Sequence, residues 1–65
     1  MNRQPWQERV VLERTELQGK ICKLTIFVGE DRFSDLPVKE QVRLELQLHY
    51  MKSYDQILVA RMLEW

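Results

Sequence analysis

Apolar residues along this chain recur at helical spacing in two blocks. Val10, Leu17 and Leu24 repeat every seven positions, with Ile21 and Val28 four beyond Leu17 and Leu24, and Trp6 one turn ahead of Val10. Leu44, Met51, Leu58 and Trp65 repeat in the same way, with Leu48 and Met62 four beyond Leu44 and Leu58. The i, i+4, i+7 pattern marks one apolar face on each of two amphipathic helices. Pro5 suits a first helical turn and Gly29 suits a helix end, so the first helix is placed over about 5–28. The polar run GEDRFSDL, 29–36, forms the turn, with Phe33 as its anchor against the helix ends. The second helix begins near Asp35, a capping residue, or Pro37, tolerated in a first turn, and runs over about 37–64 without Gly or Pro.

One stretch competes with this reading. ICKLTIFVG, 21–29, is β-branched and aromatic and looks like a buried strand, but Lys23 and Thr25 break its apolar run. The polar sequence leading into it has no strand alternation, and the heptad spacing continues through it. The short connection between two long helices then implies an antiparallel hairpin, all-α, forming a single domain over 1–65. Tyr54 is expected as a half-buried core residue, Cys22 as packed, and Trp65 against the other helix or a neighbouring subunit.

Each helix has apolar residues to spare. Leu12 and Ile26 flank Gly19 at seven-residue intervals, about 160° around the helix from the Val10–Leu17–Leu24 row. Val42, Leu46, Tyr50 and Ile57 form a second row on the other helix. Two facing helices cover one stripe apiece, and each large apolar side chain left in water forgoes about 1.5–3 kcal/mol of burial. A closed homo-oligomer of hairpins buries these rows. Gly19, which costs about 1 kcal/mol against alanine inside a helix, suits a place where another backbone or a ligand comes close.

Length points the same way. A chain of 65 residues with one cysteine has no internal disulfide, and a lone His beside a lone Cys offers no metal-ligand spacing, so partner subunits are the remaining source of stability. The single cysteine suits a reducing cytosol. Ten basic residues balance ten acidic ones, against a sequence-independent grip on DNA but not against a small anion. No segment has the apolar length of a membrane span or the pattern of a signal peptide. His49 has no convergent Asp, Ser or Cys in sequence, so no catalytic set is expected, and no cofactor.

Lys23 and Thr25 are two residues apart and diverge by about 200° on a helix, so they cannot serve one small ligand from one chain. Either each meets a separate pocket, or Lys23 is solvated and Thr25 bonds back to its own helix. Arg9 lies within about 40° of Lys23 on the wheel, almost four turns away. It either pairs with Glu13 or meets a ligand held by another chain.

The run QERVVLERTELQGKICKLTIFV, then F-x-x-LP-x-x-EQ-x-x-L, then QL-x-x-M-x-x-Y-x-x-IL-x-x-RM resembles a family of small phage proteins over roughly residues 7–62. These share the helical hairpin of anti-CBASS and anti-Thoeris sponges, which trap cyclic nucleotide second messengers of bacterial defence. The resemblance implies a homohexamer in the cytoplasm of the infected bacterial host. Cyclic dinucleotides such as cGAMP would sit between pairs of protomers, and cyclic trinucleotides on three-fold axes. By position, KLT puts Lys23 at the dinucleotide pocket and Thr25 at the three-fold pocket. IL-x-x-R puts Arg61 beside Thr25. An aromatic near the start of the first helix stacks on a base in that family. Trp6 is the nearest aromatic here, and Glu8 is the other occupant of that register. Arg9 joins Trp6 and Lys23 as a dinucleotide contact. The two pockets agree with the divergence of Lys23 and Thr25. The expected function is a sponge that binds without cleaving. The alternative is a hairpin interaction module, an inhibitor or adaptor that docks its spare apolar rows on another protein and takes no nucleotide.

Overall fold

The computed structural model describes residues 3–65. Helix α1 spans Pro5–Val28, a 3-10 turn spans Asp31–Asp35, and helix α2 spans Val38–Leu63. The helices pack along their length as a hairpin, a rod of 48 × 14 × 14 Å.

Local chemistry sets the ends. Pro5 opens α1, where its missing N–H costs nothing, and the Gln4 N–H donates to Gln7 Oε1 at 2.7 Å. Gly29 closes α1 in right-handed geometry, φ −85°, with its N–H on the Ile26 carbonyl at 3.1 Å. The helix therefore ends where the glycine predicts, by a tightened last turn rather than a left-handed cap. In the turn, Phe33 is buried and meets Phe27 edge to face at 5.8 Å, while the Arg32 guanidinium lies 5.3 Å from the Phe27 ring centre. Asp35 does not cap α2. It belongs to the 3-10 turn, and Leu36, preceding Pro37, is held extended at φ −74°, ψ 153°. Pro37 becomes the capping residue, and the Gln41 side-chain amide ties the loop down by donating to the carbonyls of Leu36, 2.8 Å, and Ser34, 3.3 Å.

The β-like stretch is helical throughout. Intrinsic preference for strand in Ile, Thr, Phe and Val is small against the burial of Ile21, Leu24 and Val28 along the helix seam. Along that seam, Val10, Leu17 and Leu58 are buried, Leu58 completely, with Ile21, Met51 and Met62 packed against them.

The seam follows alternating three- and four-residue steps, the spacing of interlocking helices. On α1 it passes through Gln7, Val10, Arg14, Leu17, Ile21, Leu24 and Val28. On α2 it passes through Gln41, Leu44, Leu48, Met51, Asp55, Leu58 and Met62. All of these are buried or half-buried. Two are charged, and they find each other: Arg14 Nε donates to Asp55 Oδ1 at 3.2 Å, with side chains 32% and 16% exposed.

Two expected core residues lie outside the seam. Asp55 takes the seam position, leaving its neighbour Tyr54 outside it, 41% exposed rather than half-buried in the core. Cys22 follows seam residue Ile21 by one position and is exposed rather than packed. Arg9 and Glu13 do not form an ion pair. Those among the described residues are Arg3–Glu8, Arg14–Asp55 and Arg32–Glu30. A cation N-terminal to the acid at i, i+4 is the weaker orientation on a helix. Trp65 packs on the other helix as expected, against Trp6.

Two predictions follow from so thin a core. Leu58→Ala is expected to cost about 2–5 kcal/mol, much of the total stability of a chain this size, and to abolish a cooperative melt followed by circular dichroism. Asp55→Ala leaves a half-buried guanidinium without its partner and should lower the melting midpoint by several degrees. The double change Arg14→Leu with Asp55→Leu should recover or exceed the original midpoint, since apolar replacement of a desolvated pair is commonly neutral or stabilising.

Candidate functional site

Antiparallel packing brings the start of α1 to the end of α2. There Trp6 and Trp65 meet edge to face, ring centres 5.7 Å apart and planes at 80°. With Gln7, Arg61 and Glu64 they line an open cleft of ≈ 370 Å³. Arg61 stands one turn before Trp65 on α2 and is exposed. It takes part in no ion pair among the described residues. Trp6 and Trp65 keep 45% and 40% of their surface in solvent, so each leaves part of its indole open while touching the other.

In an antiparallel pair, residues one position after a seam residue fall on one lateral side, whichever helix they belong to. Residues one position before a seam residue fall on the other. Gln18, Cys22, Lys52 and Gln56 each follow a seam residue, and they line a second cleft of ≈ 420 Å³ together with Ile21 and Asp55. This cleft opens beside the Arg14–Asp55 pair, and neither it nor the pair was anticipated from sequence. The signal that reveals both is the charge at two core-spaced positions, 14 and 55. Thr25 follows Leu24 and so lies on this same side. Trp6, Arg9, Lys23 and Arg61 each precede a seam residue, and they lie together on the opposite side.

The five residues singled out from sequence are therefore split four to one. They are also spread along the rod. The Arg14–Asp55 contact sets the register between the helices. From it, Thr25 lies eleven residues toward the turn and Arg61 six residues toward the open end, an axial separation of about 26 Å at 1.5 Å per residue. Within one chain Arg61 is thus not beside Thr25. It is beside Trp6. Lys23 lies about 26 Å from Trp6 along α1, and Arg9 about 21 Å from Lys23. A single ligand meets Lys23 with Trp6 or Arg9, or Thr25 with Arg61, only if it takes them from different chains.

The Thr25 hydroxyl donates to the Ile21 carbonyl at 2.7 Å, the back-bonding typical of a helical threonine. Its oxygen lone pairs remain available as acceptors. Lys23 is exposed one turn from Gly19, and a methyl built on Gly19 would meet nothing within 4 Å. The apolar rows stand uncovered in this chain, with Leu12 and Ile26 on α1 and Val42, Leu46, Tyr50 and Ile57 on α2 all exposed.

No group of three or more His, Cys, Asp or Glu among the described residues could hold a metal ion. Among them, too, no helix is long and apolar enough to cross a membrane. His49 packs edge to face on neighbouring Tyr50 at 5.3 Å.

Among protein-family models, the one described as Sequestin matches residues 4–64, the hairpin almost from end to end. No curated protein and no solved structure matches the chain.

The empty space at Gly19 makes one substitution informative. Gly19→Ala should stabilise an isolated hairpin by about 0.5–1 kcal/mol, because it adds helix propensity and clashes with nothing in its own chain. If this face packs against a second chain, the same change weakens self-association. Sedimentation equilibrium and thermal melting on one sample separate the two effects.

Proposed function

The chain belongs to the Sequestin family, and we propose that it is a non-catalytic sponge for cyclic di- and trinucleotide immune messengers, acting in the cytoplasm of a phage-infected bacterium. The family's name denotes sequestration, and its match over residues 4–64 is the observation that carries this reading. The ligand class rests on the resemblance to phage sponges and on the chemistry of the exposed side chains. The assembly, a hexamer of hairpins, answers the uncovered apolar rows.

Symmetry makes this chemistry efficient. A two-fold interface presents two Lys23 ammonium groups, matching the two phosphates of a cyclic dinucleotide through charge-assisted bonds. Arg9 of each chain adds a further cation. A three-fold axis offers three Arg61 guanidinium groups and three Thr25 acceptors to a cyclic trinucleotide. In view of the 26 Å between Thr25 and Arg61 along one chain, about seventeen helical residues, each such pair is contributed by two chains. Because a sponge has no turnover, it must bind near nanomolar affinity, about 12 kcal/mol, when the messenger is scarce.

Thermal melting with and without 3′,3′-cGAMP and cyclic triadenylate tests the reading, since a ligand that binds only the folded assembly raises its melting midpoint. The ligand should be recovered intact afterwards, and native mass spectrometry should find it on an oligomer. No shift with any cyclic nucleotide would instead favour the protein-docking module, which uses the same apolar rows without a ligand. Lys23→Ala should weaken cyclic dinucleotide binding at least tenfold and leave trinucleotide binding largely intact, and Arg61→Ala should do the converse. Loss of both activities from either change, with the oligomer preserved, would refute separate pockets.

A further inference from the structure

The cleft at the open end of the hairpin combines features that a purine nucleotide needs and that no single residue supplies. Trp6 and Trp65 are partly exposed aromatic surfaces that meet edge to face at 5.7 Å. Each indole restricts the other, so little side-chain freedom is left to lose when a base settles on one of them. Arg61 lines the same cleft, exposed and outside every ion pair among the described residues. A guanidinium there can take a phosphate through two parallel hydrogen bonds. Glu64 and Gln7 complete the lining. The carboxylate accepts from amino or imino N–H groups on a base edge, and the amide both donates and accepts. Glu64 also repels phosphate, so it orients the ligand with its base toward the α2 terminus and its phosphate toward Arg61.

We infer that this cleft is a purine-nucleotide site in which an indole of the Trp6–Trp65 pair stacks on the base and Arg61 holds the phosphate. The inference deepens the sponge reading and rests on it for the cyclic ligand. It assigns Trp65 a role in binding that nothing in the sequence suggested, and it moves Trp6 from the Lys23 pocket to the Arg61 pocket. Base stacking on an aromatic side chain contributes about 1–3 kcal/mol, or roughly five- to 150-fold in affinity, so losing the indole platform should be plainly visible.

The chain contains two tryptophans, and both line this cleft, so intrinsic fluorescence reads the site directly. The full chain is titrated with cyclic triadenylate, adenosine monophosphate, guanosine monophosphate and inorganic phosphate, and its melting is followed in parallel. Quenching by the cyclic and linear purine nucleotides but not by phosphate is the expected result. Trp65→Ala should weaken cyclic triadenylate binding about tenfold, Trp65→Phe should restore most of it, and Arg61→Ala should lower affinity for cyclic triadenylate and for both monophosphates. If cyclic triadenylate raises the melting midpoint while tryptophan emission is unchanged, the ligand is held elsewhere; the inference fails and the sponge reading stands. With neither a melting shift nor quenching the inference fails, and the sponge reading fails with it only if 3′,3′-cGAMP also leaves the melting midpoint unchanged. Equal quenching by inorganic phosphate, or full affinity in a folded Trp65→Ala protein, also overturns the site. Should Trp65→Ala fail to fold, the titration of the unsubstituted chain decides.

Discussion

A two-helix hairpin has a single interface, and everything in this protein is arranged around how little that interface can cover. The backbone rod is 14 Å across in both minor dimensions, room for two helices side by side and no second layer. Each helix can turn one stripe inward. The apolar residues beyond those stripes have no second layer to enter, and Leu12, Ile26, Val42, Leu46, Tyr50 and Ile57 remain on the outside. A larger domain would absorb such rows into its own core, but a chain of 65 residues cannot. Self-association is the physical answer proposed for those rows, and it would also let side chains that lie far apart in one chain converge on a ligand.

Within the interface, a single polar contact has an influence out of proportion to its energy. Arg14 and Asp55 occupy core-spaced positions on facing helices and pair across the seam at 3.2 Å. Partial burial makes the pair a weak contributor to net stability, because desolvation offsets most of the attraction. Its effect is on register. Any slip of one helix along the other would leave both charges half-buried without partners, a cost that apolar contacts alone do not impose. Register in turn decides which ends meet. It brings Trp6 to Trp65 and to Arg61, and it keeps Thr25 at the far end.

That placement refines the picture suggested by the phage sponges. Lys23, Trp6, Arg9 and Arg61 share one lateral side of the rod, while Thr25 lies on the other with its hydroxyl already engaged by the Ile21 carbonyl. The separation of Lys23 from Thr25 was expected from their spacing. The separation of Thr25 from Arg61 was not, and the proposed three-fold pocket would have to combine different faces of different chains. The same register creates a cleft within one chain where an aromatic pair and a guanidinium already stand together.

The amino-acid sequence by itself determined the two helices, the turn between them, the anchoring of Phe33, the rows that face inward and the rows left outside. All of these depend on angles around a single helix, and angle follows from counting residues at a fixed rotation per step. Even the β-like stretch from Ile21 to Val28 was legible as helix, because its heptad spacing outweighed its composition. Only the tertiary structure decided the Arg14–Asp55 contact, the loss of Asp35 as a cap and the union of Trp6, Arg61 and Trp65. Those outcomes depend on how far one helix is displaced along the other and on the extended backbone that Pro37 imposes before it. Axial register is a property of two surfaces packed together, and the periodicity of either one alone does not contain it.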